Sequence, residues 1–183
     1  MKVTLPEPVY LILSILADKN YESFIVGGAV RDLQLKADTK DWDFTTNAKP
    51  EDVLKLFPDG FYDNAFGTEG IAGKHLHKQL KNKNIKEALW NTHGWMDEVY
   101  EVTTCRKEDG YSNRRHPDKI VWGKTVEEDL ARRDFTINSI ALKVKDEKKK
   151  IENGFVEVEC ELIDPYDGQK DLDNKMIRTV GDA

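Results

Sequence analysis

At 183 residues, with 39% apolar and 34% charged side chains, the chain is long enough to bury one real core, or a core and a small appendage. Its formal charge of −6 excludes a surface coated in basic residues for bulk nucleic-acid binding, while a local basic groove remains open. Cys105 and Cys160 lack metal-type spacing and read as reduced thiols, no signal-peptide pattern opens the chain, and the apolar stretch Val9 to Leu16 is too short to span a bilayer, so a cytoplasmic protein is expected.

In chain order, residues 7–19 read as a helix, with Leu11, Ile12, Ile15 and Leu16 forming an apolar stripe. Phe24-Ile25-Val26 reads as a short buried strand that stops at Gly27-Gly28 and leads into a short helix through Leu33. A second strand is expected around 41–45. Asn47 is placed to cap a helix over 50–57, where Pro50 suits the first turn and Val53, Leu54 and Phe57 supply the apolar face. Residues 61–72 are turn-rich, and Lys74 to Trp90 reads as a basic helix. Val99 to Thr104 returns to strand character. Thr125-Val126-Glu127-Glu128 has the form of a capping box opening a helix toward Arg132. Residues 134–145 read as a helical turn and then a strand, Lys148 to Lys150 as a hairpin tip, and Phe155 to Ile163 and Met176 to Val180 as late strands flanking a turn at Pro165 to Gly168.

The chemistry concentrates in two clusters. Gly27 and Gly28 have no Cβ, so the backbone can turn sharply and present its N–H groups to a ligand. The helix start that follows offers unpaired donors and a positive dipole end to an anion. Nine residues after Asp32 comes Asp41-Trp42-Asp43-Phe44, where strand periodicity puts both carboxylates on one face. Hard Mg²⁺ favours such carboxylates together with phosphate oxygens. Alone, an Asp-x-Asp triplet or a Gly-Gly pair says little; their order and closeness give them weight. Glu101, on the same face as Thr103, is the best third carboxylate, with Asp97 and Glu98 as rivals nearer the loop.

The second cluster is basic: Arg106, Arg114, Arg115, Arg132 and Arg133. Arg forms forked hydrogen bonds to phosphate that Lys does not imitate. Surface pairing with Glu108, Asp118, Glu127 and Asp129 is the better account of Arg106 and Arg114 taken alone. Arg132-Arg133-Asp134-Phe135 differs, because its charges run directly into an apolar stretch and so must lie near the core.

These pieces resemble the head domain of class II tRNA nucleotidyltransferases of the CCA-adding type, in the polymerase-β-like superfamily. The matching segments are Phe24 through Asp32, Asp41 through Phe44, Phe66-Gly67-Thr68, Glu101 through Arg106, Tyr111 through Pro117, Glu127 through Asn138 and Leu162 through Asp167, in the family's order over nearly the whole chain. The resemblance implies an α/β fold: a small mixed sheet of about five strands, helices on one face and the acidic face open. It implies that Asp41, Asp43 and Glu101 are the catalytic and Mg²⁺-holding residues. Gly27, Gly28 and Arg31 would face the triphosphate, and Arg132, Asp134 and Asn138 would grip the ribose and phosphates. Asp32 would orient one of these arginines, and 106–117 would form a mobile loop.

Residues 1–183 would then be a catalytic head, with 69–97 a lysine-rich insertion and the neck, body and tail domains absent. The lysines of that insertion (Lys74, Lys78, Lys81, Lys83 and Lys86), with Arg114 and Arg115, are candidates for RNA contact, or else for a decorated surface. The implied reaction is attack of a tRNA 3′-hydroxyl on CTP or ATP with release of pyrophosphate. RNA 3′ adenylation, as by bacterial poly(A) polymerases, and a non-catalytic nucleotide- or RNA-binding module are the alternatives.

Overall fold

The computed structural model describes residues 1–63, 67–80, 87–109, 119–145 and 150–181. Phe66, Lys81, Lys83, Lys86, Arg114, Arg115 and the motif Tyr111 through Pro117 lie outside the described residues.

Among the described residues, nine strands form the main sheet, more than the five expected. Its central ladder is β2 (Ser23–Val26), β3 (Asp43–Thr46) and β6 (Val99–Thr104). On one side it continues to β9 (Ala141–Val144), β11 (Phe155–Ile163) and β1 (Lys2–Pro6), with β10 (Lys150–Glu152) also on β11. On the other side it ends in β5 (Thr68–Ala72) and β4 (Phe61–Asp63). Only the β3–β6 pair is parallel, and the sheet is therefore mixed.

Alternation along the strands separates two faces. Ile25, Phe44, Val102, Ile71 and Leu142 point to the main core. There they meet helix α1 (Glu7–Ala17) through Val9, Ile12 and Leu16. Helix α3 (Pro50–Leu56) adds Val53, and Phe57 follows it. Helices α4 (Gly73–Gln79) and α5 (Glu87–Thr92) add Leu76 and Trp90. The Trp90 indole N–H donates to Glu7 Oε2 at 3.2 Å, tying the lysine-rich stretch to the first helix. Trp95, just beyond α5, is also buried, so Trp90 and Trp95 anchor an otherwise largely exposed 87–95 segment to the core.

The opposite face is not bare. Phe24, Val26 and Ala141 pack there against Val126 and Leu130 of helix α6 (Val126–Ala131), so helices cover parts of both faces. Thr125 caps α6 as expected, its Oγ1 accepting from the Glu128 N–H at 3.4 Å. The Glu128 carboxylate reaches back to the Lys124 N–H at 2.8 Å, one residue before the position an ideal capping box uses.

Several expectations are corrected. Residues 61–63 and 68–72 are strands rather than turns: β5 pairs with β6 and β4 in register, with Gly70 inside that pairing and Gly67 left in a turn before it. Asn47 does not cap α3; its Oδ1 accepts from the Glu22 N–H at 2.9 Å, and Lys49 occupies the cap position. Met176 to Val180 forms no strand, only the single bridge Phe135–Thr179. Arg106–Asp109 (β7), expected in a loop, pairs with Lys119–Trp122 (β8) as a separate two-stranded ribbon. A further helix, α7 (Gly168–Asp173), follows the turn, in which Asp164 accepts from the N–H groups of Gly168 and Gln169. Both cysteines are free and buried. Among the described residues no helix is long and apolar enough to cross a membrane.

Candidate functional site

The site grows from one cross-strand row. Val26 on β2 pairs with Asp43 on β3, Asp43 with Glu101 on β6, and Glu101 with Gly70 on β5. Residues opposite one another in a ladder point to the same face, so the two carboxylates stand side by side. The register of the parallel β3–β6 pair, which sets Asp43 directly opposite Glu101, is what brings them together. Asp41 precedes β3 and is exposed; Trp42 and Phe44 between and beyond the acids are buried, matching the expected alternation. Val26, Asp43, Phe61, Thr68, Gly70, Glu101, Thr103, Arg106 and Arg133 line a cleft of about 370 Å³ on this face. Its floor carries a Thr68–Thr103 hydroxyl contact of 2.8 Å.

Electrostatically the row is acidic and partly relieved. Burial pushes the Asp43 carboxyl up to about 6, the negative charges of Glu101 and Asp41 push the same way, and Arg133 opposes them. Among the described residues, no group of three or more His, Cys, Asp or Glu is drawn together closely enough to hold a metal ion as it stands. The chemistry of the donors nevertheless fits a hard divalent cation. All are carboxylate oxygens, and their mutual repulsion is what such an ion relieves.

Beside the acids, β2 ends at Gly27, whose φ of 71° is a left-handed conformation that side chains resist. A Cβ there would stand 2.8 Å from Arg133 Nη1 and 3.5 Å from Asp43 Oδ2, so the turn is packed directly against the site. Helix α2 (Gly28–Leu35) starts at the next residue with Gly27 at its N-cap and no side-chain cap. Its first N–H groups thus have no side-chain cap and lie at the positive end of the helix. Arg31, one turn in, donates from Nε to Asp32 Oδ1 and from Nη1 to Asn138 Oδ1, each at 2.9 Å. Asp32 thus holds an arginine, as the sequence led us to expect, and Asn138 joins the same group from the 3-10 turn Thr136–Asn138.

The two neighbouring arginines part company at the end of α6. Arg132 places Nε and Nη2 on Asp129 Oδ1 at 3.0 and 2.7 Å, while Arg133 Nη2 reaches Asp129 Oδ2 at 3.2 Å. Asp129 is fully buried, so this double pairing is what makes its charge tolerable. Arg133, not Arg132, enters the cleft, where Nη1 also contacts the Asn138 carbonyl at 3.4 Å. Sequence reasoning had placed Arg133 in the basic cluster but not in the site. The available signal was helical spacing: three and four residues after Asp129 both arginines can reach it, but only the structure shows which then faces the acids. Asp134 is exposed, and its carbonyl accepts from the Val180 N–H. Lys74 and Lys78, one turn apart on α4, are exposed and do not line the cleft.

Comparison with known proteins accords with this arrangement. The chain belongs to the poly A polymerase head domain family, whose family model matches residues 23–178. It is 33% identical over 171 residues to the CCA-adding enzyme of Lactobacillus helveticus (strain DPC 4571), covering 93% of this chain and 34% of that protein. It is 32% identical over 183 residues to the CCA-adding enzyme of Staphylococcus aureus (strain Newman), covering 100% of this chain and 37% of that one. The chain therefore spans about a third of the length of these relatives. Among solved structures it resembles the Bacillus stearothermophilus CCA-adding enzyme in complex with CTP, with a TM-score of 0.63 and 29% identity over 96% of this chain and 33% of that one. It also resembles a tRNA nucleotidyltransferase complexed with a primer tRNA and an incoming ATP analog, with a TM-score of 0.60 and 26% identity over 93% of this chain and 39% of that one.

Proposed function

We propose that this chain is the catalytic head of a cytoplasmic tRNA nucleotidyltransferase, transferring CMP or AMP from CTP or ATP to the 3′-hydroxyl of tRNA and releasing pyrophosphate. The observation that carries the proposal is the row Val26–Asp43–Glu101, which sets two carboxylates beside the Gly27 turn and Arg133. Asp41, Asp43 and Glu101 would hold Mg²⁺. When bound, the ion lowers the pKa of the attacking hydroxyl and neutralises charge on the leaving group.

The rest of the work falls to the chain itself. The N–H groups after Gly27 and Gly28 bind phosphate oxygens, and Arg31, fixed by Asp32 and Asn138, presents its guanidinium to the same anion. Arg133 balances the acids and stands where negative charge develops. Arg132 and Asp134 would act on the nucleotide from the same segment, Arg132 in part by holding Asp129. Positioning and charge stabilisation suffice for such a transfer, since it needs no covalent help from the protein. The lysine-rich stretch 69–97, with Lys74, Lys78, Lys81, Lys83 and Lys86, would be an addition grown onto β5 that meets RNA together with Arg114 and Arg115. Neck, body and tail domains, which the resemblance implies, would lie outside this head.

The test is incorporation of labelled CTP and ATP into tRNA lacking its 3′ end, with pyrophosphate release followed alongside. Wild-type protein incorporates both, and Asp41→Ala or Asp43→Ala does not. Full activity in both variants would remove the assignment. A second reading, RNA 3′ adenylation, is favoured by the description of the matching family. Incorporation of ATP alone, repeatedly and without CTP, would select it.

A further inference from the structure

The row that carries the acids does not stop at Glu101. Glu101 pairs with Gly70 on β5, and Gly70 with Phe61 on β4, the last strand of the sheet. Phe61 lies on the cleft face and turns its ring back over Gly70: a Cβ on Gly70 would collide with Phe61 Cζ. The inner side of the ring is thus seated on a glycine, while Phe61 as a whole stays 60% exposed. An aromatic ring held flat against backbone, open on its other side and lining the same cleft as two carboxylates, is placed to stack on a planar ligand.

Direction along the row identifies the ligand. The anion-binding turn is at the β2 end, next to Asp43. With neighbouring strands about 4.8 Å apart, Gly70 lies roughly 14 Å from Val26, beyond both acids. In an in-line displacement the nucleophile and the leaving group occupy opposite sides of the reacting phosphorus. If pyrophosphate leaves toward Gly27, the acceptor hydroxyl arrives from the Gly70–Phe61 side.

We propose that Phe61, seated on Gly70, is the stacking platform for the base of the acceptor RNA's 3′-terminal nucleotide. The inference rests on the nucleotidyl-transfer reading of the site. It gives the head domain its own grip on the acceptor end, and it explains why β5 carries Gly70 at this position: any side chain there would lift the ring off the sheet. Stacking accepts any base, so this contact would tolerate an end that changes after each addition.

The test is a cycle between protein and acceptor. RNA acceptors are prepared with an ordinary 3′-terminal nucleotide, or with one that keeps its ribose and hydroxyl but lacks the base. Binding is measured by fluorescence anisotropy, and KM where transfer is observed, for wild type, Phe61→Ala, Phe61→Leu and Phe61→Trp. We expect wild type and Phe61→Trp to favour the base-bearing acceptor about tenfold. Phe61→Ala and Phe61→Leu should bind the two acceptors within about twofold of each other, with the Kd for CTP unchanged.

Wild type lacking the preference, or either Phe61→Ala or Phe61→Leu keeping it, would overturn the proposal. A loss appearing in CTP affinity instead would overturn it too, by assigning the ring to the incoming base. Phe61→Leu keeps an apolar cover on Gly70, so a purely structural role would leave it like wild type. Asp43→Asn separates the two readings: it should abolish transfer yet keep the base preference in binding. Transfer surviving in Asp43→Asn would refute the site reading and leave the binding result standing.

Discussion

Two acids on opposite faces of the same sheet show how the setting of a carboxylate decides its use. Asp43 faces the cleft, with burial and two other acids raising its pKa to about 6 and Arg133 pulling it down. Glu69, one residue before Gly70 on β5, faces the core and is 1% exposed. Burial alone raises it to about 7, and among the described residues neither of its oxygens has a hydrogen-bond partner. Its carboxylate fills the space a side chain on Gly60 would need. Both acids weigh against folding when charged. Of the two, only Asp43 lines an open cleft, so only there would a bound cation relieve the repulsion.

The largest effect should come from breaking the open side of this comparison. Asp43→Asn should lower nucleotide transfer at least about a hundredfold. It should also raise the stability of the ligand-free fold. The sign follows from the raised pKa: the contribution of protonated Asp43 is present at low pH and is lost as pH rises through about 6. Urea denaturation at pH 5 and pH 8 would show the variant's advantage growing with pH.

Arg133→Ala comes next. It removes one of two arginines from fully buried Asp129 and the counter-charge from Asp43, so a loss of about 1–3 kcal/mol is expected, together with weaker triphosphate binding. Titration calorimetry with CTP, beside denaturation, separates the two effects. Gly27→Ala should cost about 1–2 kcal/mol, because its left-handed φ and the 2.8 Å approach to Arg133 both oppose a Cβ.

The smallest effect sharpens the closed side. Glu69→Gln should raise Tm by about 2–4 °C at pH 8. The gain should shrink toward pH 5, because in wild type the stability associated with protonated Glu69 is lost as pH rises through about 7. Nucleotide transfer should not depend on this change.

Much of the site was legible because its signals are local. A short apolar strand ending in two glycines needs no distant partner to be recognised, and β2, Gly27 and α2 fall where expected. The alternation around Asp43 and Glu101 likewise placed both on one face. What stayed hidden depends on partners far away in the chain. β1 forms by pairing Val3 with Val158, and β4 and β5 form only because β6 supplies a ladder edge. Between Gly60 and Gly70 the glycines read as turns. Gly60 and Gly70 instead leave room for Glu69 and Phe61, and only Gly67 takes a left-handed φ, against Trp122. Asn47 looked like a helix cap by its position, but a loop 25 residues back claimed its carboxamide. The choice between Arg132 and Arg133 turned on where α6 ends, which composition does not reveal.

On the proposed reading, the Asp43–Glu101 edge and the Gly27 turn form one site for a metal-bound triphosphate. The most direct test of that reading is a crystal structure with Mg²⁺ and a non-hydrolysable CTP analogue. The account predicts Mg²⁺ between the carboxylates of Asp41, Asp43 and Glu101, with the phosphates on the N–H groups after Gly27. A triphosphate bound elsewhere, with these carboxylates holding no metal, would contradict it.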